Sequence, residues 1–190
     1  MHQGGRALVA SLYGLVLAAW LGSFAVRWLA AWRRQLAFVL LCVLLAIGAV
    51  SGLKQVTTLP CPHELAAFGG SGQWVETWRL FDPDLPRAEC FPAGHASGGY
   101  AWLCLAFLFP RHSRHFRLAL LPGALLGVGF GLAQQLRGAH FLSHDLMTIA
   151  LCWLVPGLLA KAMQPARGAH CANSGENRGG CAVQAAPGSR

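Results

Sequence analysis

The stretch Leu36-Ala-Phe-Val-Leu-Leu-Cys-Val-Leu-Leu-Ala-Ile-Gly-Ala-Val-Ser-Gly-Leu53 decides the fold of this chain, because it contains no charged side chain. Arg33 and Arg34 precede it closely, and Lys54 follows it directly. A helix crosses the hydrocarbon core of a bilayer with about 20 apolar residues, and about 17 suffice. We therefore predict that this stretch is a membrane-spanning helix.

Four further apolar runs indicate that the whole chain is an integral membrane protein. Of its 190 residues, 55% are hydrophobic and only 12% are charged, whereas a soluble domain carries about 25% charged residues. The further runs cover residues 7–26, 97–109, 116–136 and 142–163. The run 97–109 is short for a span, and we expect it to extend back to residue 94. The sequence thus predicts an all-α membrane bundle of about five transmembrane helices.

The positive charges predict how this bundle lies in its membrane. The net charge is +8, but the cations form short clusters between the apolar runs, which argues against a nucleic-acid partner. If the helices alternate, the clusters at 27–34, 111–117 and 161–167 fall on one side, which the positive-inside rule makes cytoplasmic. The segment 54–96, between the second and third helices, holds five of the seven acidic residues and then lies outside. We expect a bacterial-type inner (cytoplasmic) membrane, with this segment in the periplasm.

Composition divides the chain into two parts. Residues 1–163 are predicted to form one membrane domain, whereas residues 164–190 are rich in Gly, Ser and Asn and are predicted to be a disordered cytoplasmic tail. Within the domain, Gly123, Gly127 and Gly131 recur every four residues. Small residues at this spacing let another helix approach closely, so we expect a tight helix contact there.

Two cysteines in the outer segment are candidates for a disulfide. Cys61 and Cys90 both lie between the second and third apolar runs. An oxidising periplasm permits such a bond. The sequence leaves open whether the two Cα atoms come within about 7 Å, which a disulfide requires.

Polar residues gather at the ends of the apolar runs on the predicted outer side. Lys54 ends the second run, Pro92-Ala-Gly-His95 begins the third, and Arg137-Gly-Ala-His140 precedes the fifth. Ionisable groups beside hydrocarbon are costly and mark functional sites. Fixed cations and backbone amides at a helix start suit a bound phosphate, and two histidines supply a nucleophile and a proton donor. The sequence therefore predicts a site of phosphoryl transfer at this end of the bundle.

At these residues the chain resembles the type 2 phosphatidic acid phosphatase superfamily. That family has three motifs, which are Lys-x6-Arg-Pro, Pro-Ser-Gly-His and Ser-Arg-x5-His-x3-Asp. Lys54 matches the first motif, although Cys61 replaces its arginine. His95 matches the second motif, with Ala93 in place of its serine. The resemblance covers residues 54–145 and implies a membrane-embedded phosphatase.

The third motif is present in a rearranged form. His140 takes the place of its histidine, which the resemblance implies is the nucleophile. Gln134 stands where the arginine belongs, six residues before His140, and Arg137 stands three residues before it. His144 occupies the position of the aspartate that orients the nucleophile in the family, and Asp145 comes next. Spacing favours His144, because Asp145 is rotated by about 100° on a helix, but both are candidates.

We expect a phosphatase that hydrolyses a lipid phosphate or diphosphate at the outer face through a phosphohistidine intermediate. The reaction is expected to need no metal or other cofactor, and the expected partner is a membrane lipid. The alternatives are a lipid phosphotransferase and a catalytically weakened protein that binds lipid headgroups. The predicted catalytic residues are His140, His95, His144 and Asp145, and the predicted phosphate-binding residues are Lys54, Gly94, Arg137 and Ser97.

Overall fold

The computed structural model describes residues 2–163, with side chains from residue 4 onward, and the predicted tail at 164–190 lies outside the described residues. The described chain is helical, which confirms the predicted all-α membrane bundle. Its helices are α1 (His2–Gly22), α2 (Arg27–Ala30), α3 (Arg33–Lys54), α4 (Gly94–Tyr100), α5 (Arg114–Gln135) and α6 (Leu142–Met163). Helix α4 continues directly as a 3₁₀ helix, Ala101–Leu108.

Four helices of the described part are long and apolar enough to cross a membrane, namely Gly4–Gly22, Arg33–Lys54, Arg114–Gln135 and Leu142–Met163. The third predicted span is shorter and begins at Gly94, as expected. A 3₁₀ helix rises about 2.0 Å per residue against about 1.5 Å in an α-helix, so α4 and its continuation together reach about 26 Å. This length approaches the thickness of the hydrocarbon core, about 30 Å. The mixed winding therefore brings a short segment close to spanning length.

The core of the bundle lies where α4 and its 3₁₀ continuation pack between α3, α5 and α6. Lipid tails are as apolar as the side chains of this core, so close packing holds membrane helices together more than transfer from water does. The segment that carries His95 is thus enclosed by its neighbours. The buried side chains include Phe38, Cys42 and Ala46 of α3, Tyr100 of α4, Trp102 and Cys104 of the 3₁₀ helix, and Cys152 of α6.

The row of glycines on α5 lets α4 approach closely, as predicted. An added Cβ at Gly123 would overlap the backbone of the 3₁₀ helix, and one at Gly127 would overlap the ring of Tyr100. Gly99 of α4 in turn faces the backbone of Gly127, with no room for a Cβ atom. Only glycine fits at these contacts, so the position of α4 is determined by α5.

Arg33 ties the end of α1 to the start of α3. Its Nη2 donates to the carbonyl of Ser23 at 2.5 Å, and its Nε donates to the Ser23 hydroxyl at 3.1 Å. Its guanidinium also lies 4.2 Å from the centroid of the Phe24 ring. The side chain thereby satisfies a carbonyl at the end of α1. Because the connection is short, α1 and α3 form an antiparallel pair.

The connection between α3 and α4, residues 55–93, is irregular but fixed at several points. It contains the 3₁₀ turns Pro62–Glu64, Ala66–Phe68 and Thr77–Arg79. A disulfide joins Cys61 to Cys90, whose Cα atoms lie 5.4 Å apart. The connection also contacts the turn between α5 and α6. It therefore lies over the helix ends that carry the predicted site residues.

Candidate active site

The end of α3 meets the start of α4 at the predicted phosphate site. An added Cβ at Gly94 would lie 3.8 Å from Nζ of Lys54, so the ammonium group lies against the first turn of α4. Lys54 is half-buried and His95 is partly exposed. Amide groups at a helix start and a neighbouring ammonium both favour an anion. This corner of the bundle can hold the charged oxygens of a phosphate.

Two threonines hold the segment before α4 from opposite sides. The hydroxyl of Thr57 donates to the carbonyl of Phe91 at 2.5 Å, and that of Thr148 lies 3.2 Å from the carbonyl of Ala93. The amide of Ala93 donates to a carbonyl at the start of α6 at 3.3 Å. The position of His95 is therefore fixed largely through the backbone of the segment before it.

A tight turn between α5 and α6 presents His140. Gly138 has a φ of +65°, a left-handed conformation that glycine adopts readily. Its carbonyl accepts a hydrogen bond from the backbone amide of His63 at 3.0 Å, and Nδ1 of His63 lies 3.2 Å from the same oxygen. The amide of Ala139 donates to the carbonyl of Gln134 at 2.9 Å. Both α5 and the long connection thus fix the turn, and His140 is buried behind it.

His144 is the side chain that contacts the ring of His140. Their Nδ1 atoms lie 3.4 Å apart, a distance at which one neutral ring can donate to the other. His144 is only 2% exposed. The rings of Phe91 and Phe141 stand edge-on to it, with centroids at 5.2 and 5.6 Å. The orientation of His144 is therefore constrained by packing, and it can orient His140 in turn.

The Cys61–Cys90 disulfide packs beside this histidine pair. Sγ of Cys90 lies 3.5 Å from Nδ1 of His140 and 3.9 Å from Nδ1 of His144. Because this sulfur is bonded to Cys61, it has no proton to donate. The ligand atoms of Cys61, Cys90 and His140 lie within 4.8 Å of one another, but the bonded sulfurs are not the thiolates that a metal ion would bind. The disulfide acts here as a wall of the site.

Burial lowers the pKa of His140 from its ordinary value of 6.5 to about 3. Repulsion from His144, Lys54, His95 and His63 in their protonated forms lowers this pKa further, with His144 contributing most. The ring of His140 is therefore neutral near pH 7. A neutral imidazole carries a lone pair that can attack phosphorus.

The second candidate for the orienting role, Asp145, is turned towards α5. The side-chain amide of Gln135 donates to Oδ2 of Asp145. An added Cβ at Gly131 would overlap the same carboxylate, which shows how closely it packs on α5. Its other oxygen, Oδ1, is buried without a hydrogen-bond partner among the described residues. Of the two candidates, it is His144 that the structure places against His140.

Two further predicted phosphate-binding residues, Ser97 and Arg137, have different surroundings. Ser97 is buried, and its hydroxyl donates to the carbonyl of Gly94 at 2.7 Å within the first turn of α4. Arg137 is exposed in the turn after α5. Among the predicted residues, the structure thus brings together Lys54, Gly94, His95, His140 and His144 at one end of the bundle.

Comparison with known proteins identifies the family. The family model described as the PAP2 superfamily matches residues 35–167. This chain belongs to the PAP2 superfamily. Members of the PAP2 superfamily are generally phosphatases, and the histidine pair beside Lys54 suits that chemistry. No curated protein and no solved structure matches the chain.

Three residues that support the candidate site were not predicted from the sequence. His63 is exposed, but it binds the carbonyl of Gly138, and only its place in the first motif region hints at this. Thr148 lies four residues after His144 on the same face of α6, a spacing that could have indicated its contact. Gln135 binds Asp145 across a turn that the sequence does not specify.

Proposed function

We propose that this PAP2 protein is a membrane-embedded phosphatase that hydrolyses a lipid phosphate or diphosphate through a phosphohistidine intermediate. The observation that carries the proposal is a neutral, buried His140 whose Nδ1 faces His144 in a site shared with Lys54 and His95. A neutral imidazole beside fixed cations is the arrangement that attack on a phosphate anion requires.

The reacting atom of His140 is Nε2, since Nδ1 lies 3.4 Å from the ring of His144. When Nδ1 of His140 donates its proton to Nδ1 of His144, the lone pair of His140 is left on Nε2. Bond formation to phosphorus makes the ring of His140 more positive. The hydrogen bond to His144 stabilises that charge, so His144 is a positioning residue in this mechanism.

The reaction proceeds in two displacements. In the first, a bond forms between Nε2 of His140 and phosphorus while the bond from phosphorus to the leaving oxygen breaks, and His95 protonates that oxygen. In the second, His95 takes a proton from water, the water oxygen bonds to phosphorus, and the nitrogen–phosphorus bond breaks. Lys54 and the amides at the start of α4 stabilise the charge on the non-bridging oxygens throughout.

An apolar cavity next to the histidine pair supports a lipid substrate. The cavity has a volume of about 390 Å³, and His144 forms part of its lining. Its other walls include Leu65, Trp74 and Phe141. Trp78 and Phe81 of the same connection are exposed, as aromatic side chains are at a membrane interface. A substrate with a phosphate at His140 and an apolar chain beside it suits these surroundings.

We place the site on the periplasmic face of a bacterial-type inner membrane. The clusters of arginine between the helices favour the opposite face for the cytoplasm. The disulfide between Cys61 and Cys90 supports the same orientation, because such bonds persist in oxidising compartments.

The test is phosphate release in detergent from phosphatidate, phosphatidylglycerol phosphate, a prenyl diphosphate and lipid A. We expect the wild-type protein to release phosphate from at least one of them. His140→Ala and His95→Ala should each lower kcat by about 10²-fold or more, because they remove the nucleophile and the proton donor. His112→Ala, an exposed histidine at the other end of the bundle, is the matched control. Equal rates for the wild type and the two histidine variants would reject the mechanism.

The replaced motif residues favour one alternative, a weakened protein that binds lipid headgroups. Cys61 and Gln134 stand where the family has arginines, so the site has lost two phosphate donors at those positions. Binding of these lipids without phosphate release would support this alternative. Transfer of the phosphate to an added acceptor lipid would instead identify a phosphotransferase.

A further inference from the structure

Helix α1 lies outside the region that matches the PAP2 family, yet it packs against the candidate active site. The match begins at residue 35, whereas α1 spans His2–Gly22. An added Cβ at Gly98 of α4 would lie 3.2 Å from a methyl group of Val9. An added Cβ at Gly5 would lie 3.4 Å from the ring of Phe130 on α5. The first turns of α1 therefore contact α4 and α5, close to the candidate phosphate site at Lys54 and Gly94.

The register of this packing brings Arg6 to the height of His95. Helix α1 is antiparallel to α3, and α4 starts where α3 ends, so α1 and α4 run in the same direction. Val9 lies against Gly98, and three residues towards the N-terminus from these two positions are Arg6 and His95. Three helical residues rise by about 4.5 Å along either helix, so Arg6 and His95 lie at similar heights in the bundle.

Charge at this corner supports the same placement. Arg6 lies near enough to Lys54 for their positive charges to repel each other, although the carboxylate of Glu89 attracts Lys54 more strongly than Arg6 repels it. Both cations belong to otherwise apolar helix ends, where an uncompensated charge is costly. An anion between them would remove the repulsion, and a guanidinium binds phosphate oxygens with good geometry.

We propose that Arg6 is a ligand of the substrate phosphate and supplies, from α1, a guanidinium that the motif positions Cys61 and Gln134 lack. This inference rests on the proposed phosphatase function, which it extends to a helix that the family match leaves out. Arg6 is exposed, so packing against neighbouring side chains does not hold its side chain in place.

The test measures the dissociation constant of inorganic phosphate for the full-length protein in lipid-free detergent. The variants are Arg6→Gln, which keeps a polar side chain and removes the charge, and Arg6→Lys, which keeps the charge. We expect Arg6→Gln to raise the constant about tenfold, as loss of a charge-assisted hydrogen bond does, and Arg6→Lys to raise it less. Arg27→Gln, at an exposed arginine that begins α2 beyond the other end of α1, should leave it unchanged.

Three results would overturn the proposal. If Arg6→Gln binds phosphate with wild-type affinity, Arg6 contacts only bulk lipid headgroups. If Arg27→Gln loses as much affinity as Arg6→Gln, the effect is one of general charge. If the wild type binds no phosphate, there is no phosphate site for Arg6 to serve. The phosphatase proposal fails separately. If phosphate binding depends on Arg6 but the protein hydrolyses no lipid, the role of Arg6 as a phosphate ligand is supported and the phosphatase proposal is rejected. If the protein hydrolyses lipid and Arg6→Gln leaves KM unchanged, the phosphatase proposal is supported and the role of Arg6 is rejected.

Discussion

The two histidine segments, 91–99 and 137–145, lie at the same site but are held there by different means. In the first, the carbonyl of Phe91 and the amide and carbonyl of Ala93 all face partners on neighbouring elements. In the second, backbone hydrogen bonds fix the turn at Gly138 and Ala139, but a side-chain contact between His144 and His140 decides which residue faces the buried ring. A site fixed through backbone groups tolerates a changed side chain, which explains how alanine can replace serine at position 93. A site fixed through side chains changes its roles when those residues change.

The largest expected effect comes from removing the disulfide, which supports the second segment. The two cysteines are 29 residues apart, and closing a loop of this size stabilises the folded state by about 3–4 kcal/mol. Cys61→Ala combined with Cys90→Ala should lower the free energy of unfolding by that amount. Denaturation in detergent, with and without a reductant, measures it. The stability of the double variant should not change when the reductant is added. Thiol labelling shows whether the reductant has fully reduced the wild type, and a fully reduced wild type with unchanged stability would contradict the prediction.

The next effect concerns the first segment. Gly99→Ala places a methyl group against the backbone of Gly127, and we expect overpacking there to cost about 1–3 kcal/mol of stability. Gly48→Ala on α3 is the matched control, since nothing lies within 4 Å of an added Cβ. The control should be as stable as the wild type or slightly more stable. Thermal unfolding in detergent compares the three proteins, and equal midpoints for all of them would show that α4 can move away from α5.

A smaller effect tests the roles of His144 and Asp145. His144→Ala should lower kcat about 10- to 100-fold, because it removes a hydrogen bond that stabilises the charged ring of His140. His144→Asp, which restores the residue of the family motif, should recover part of that loss. Asp145→Asn should change kcat by less than about threefold, since Asp145 faces Gln135. A larger loss of kcat in Asp145→Asn than in His144→Ala would reverse the assignment.

The last prediction concerns the change in stability with pH, which builds up gradually over several pH units. Unfolded His140 takes up a proton near pH 6.5, whereas folded His140 does so only at about pH 3. The unfolded state therefore binds more protons between these values, so stability decreases as the pH falls from about 6.5 to 3. Thermal midpoints at several pH values measure this slope. His140→Gln should have a shallower slope than the wild type, and His112→Gln should retain the wild-type slope. A slope that His140→Gln leaves unaltered would contradict burial of a neutral His140.

Much of the fold followed from apolar length alone. The long runs became α1, α3, α5 and α6 because a span needs about 20 apolar residues and leaves little choice of structure. The glycine spacing on α5 correctly predicted its close contact, since close approach depends only on absent side chains. The 3₁₀ winding after Tyr100 was not foreseen, because the sequence there is uniformly apolar and suits either helix.

The sequence could name candidate site residues, but it could not specify their contacts. Motif spacing pointed to His95 and His140, whose positions depend on helix starts. Which of two adjacent residues faces His140 depends on the rotation of α6, and that rotation is set by packing with partners such as Gln135. The location of Arg6 likewise depends on a helix far away in sequence. Such choices are made by tertiary contacts that one sequence does not display.

The 3₁₀ winding of the segment after Tyr100 has a consequence for the start of α4, where His95 lies. The 3₁₀ part runs from Ala101 to Leu108, and rewinding it as α-helix would shorten it by about 4 Å. Under the proposed mechanism, proton transfer needs donor and acceptor within about 3 Å, so a shift of that size would separate His95 from a substrate held at His140. In that mechanism the pitch of an apolar stretch outside the site works as a spacer, and together with the hydrogen bonds of the segment before α4 it sets the depth of His95.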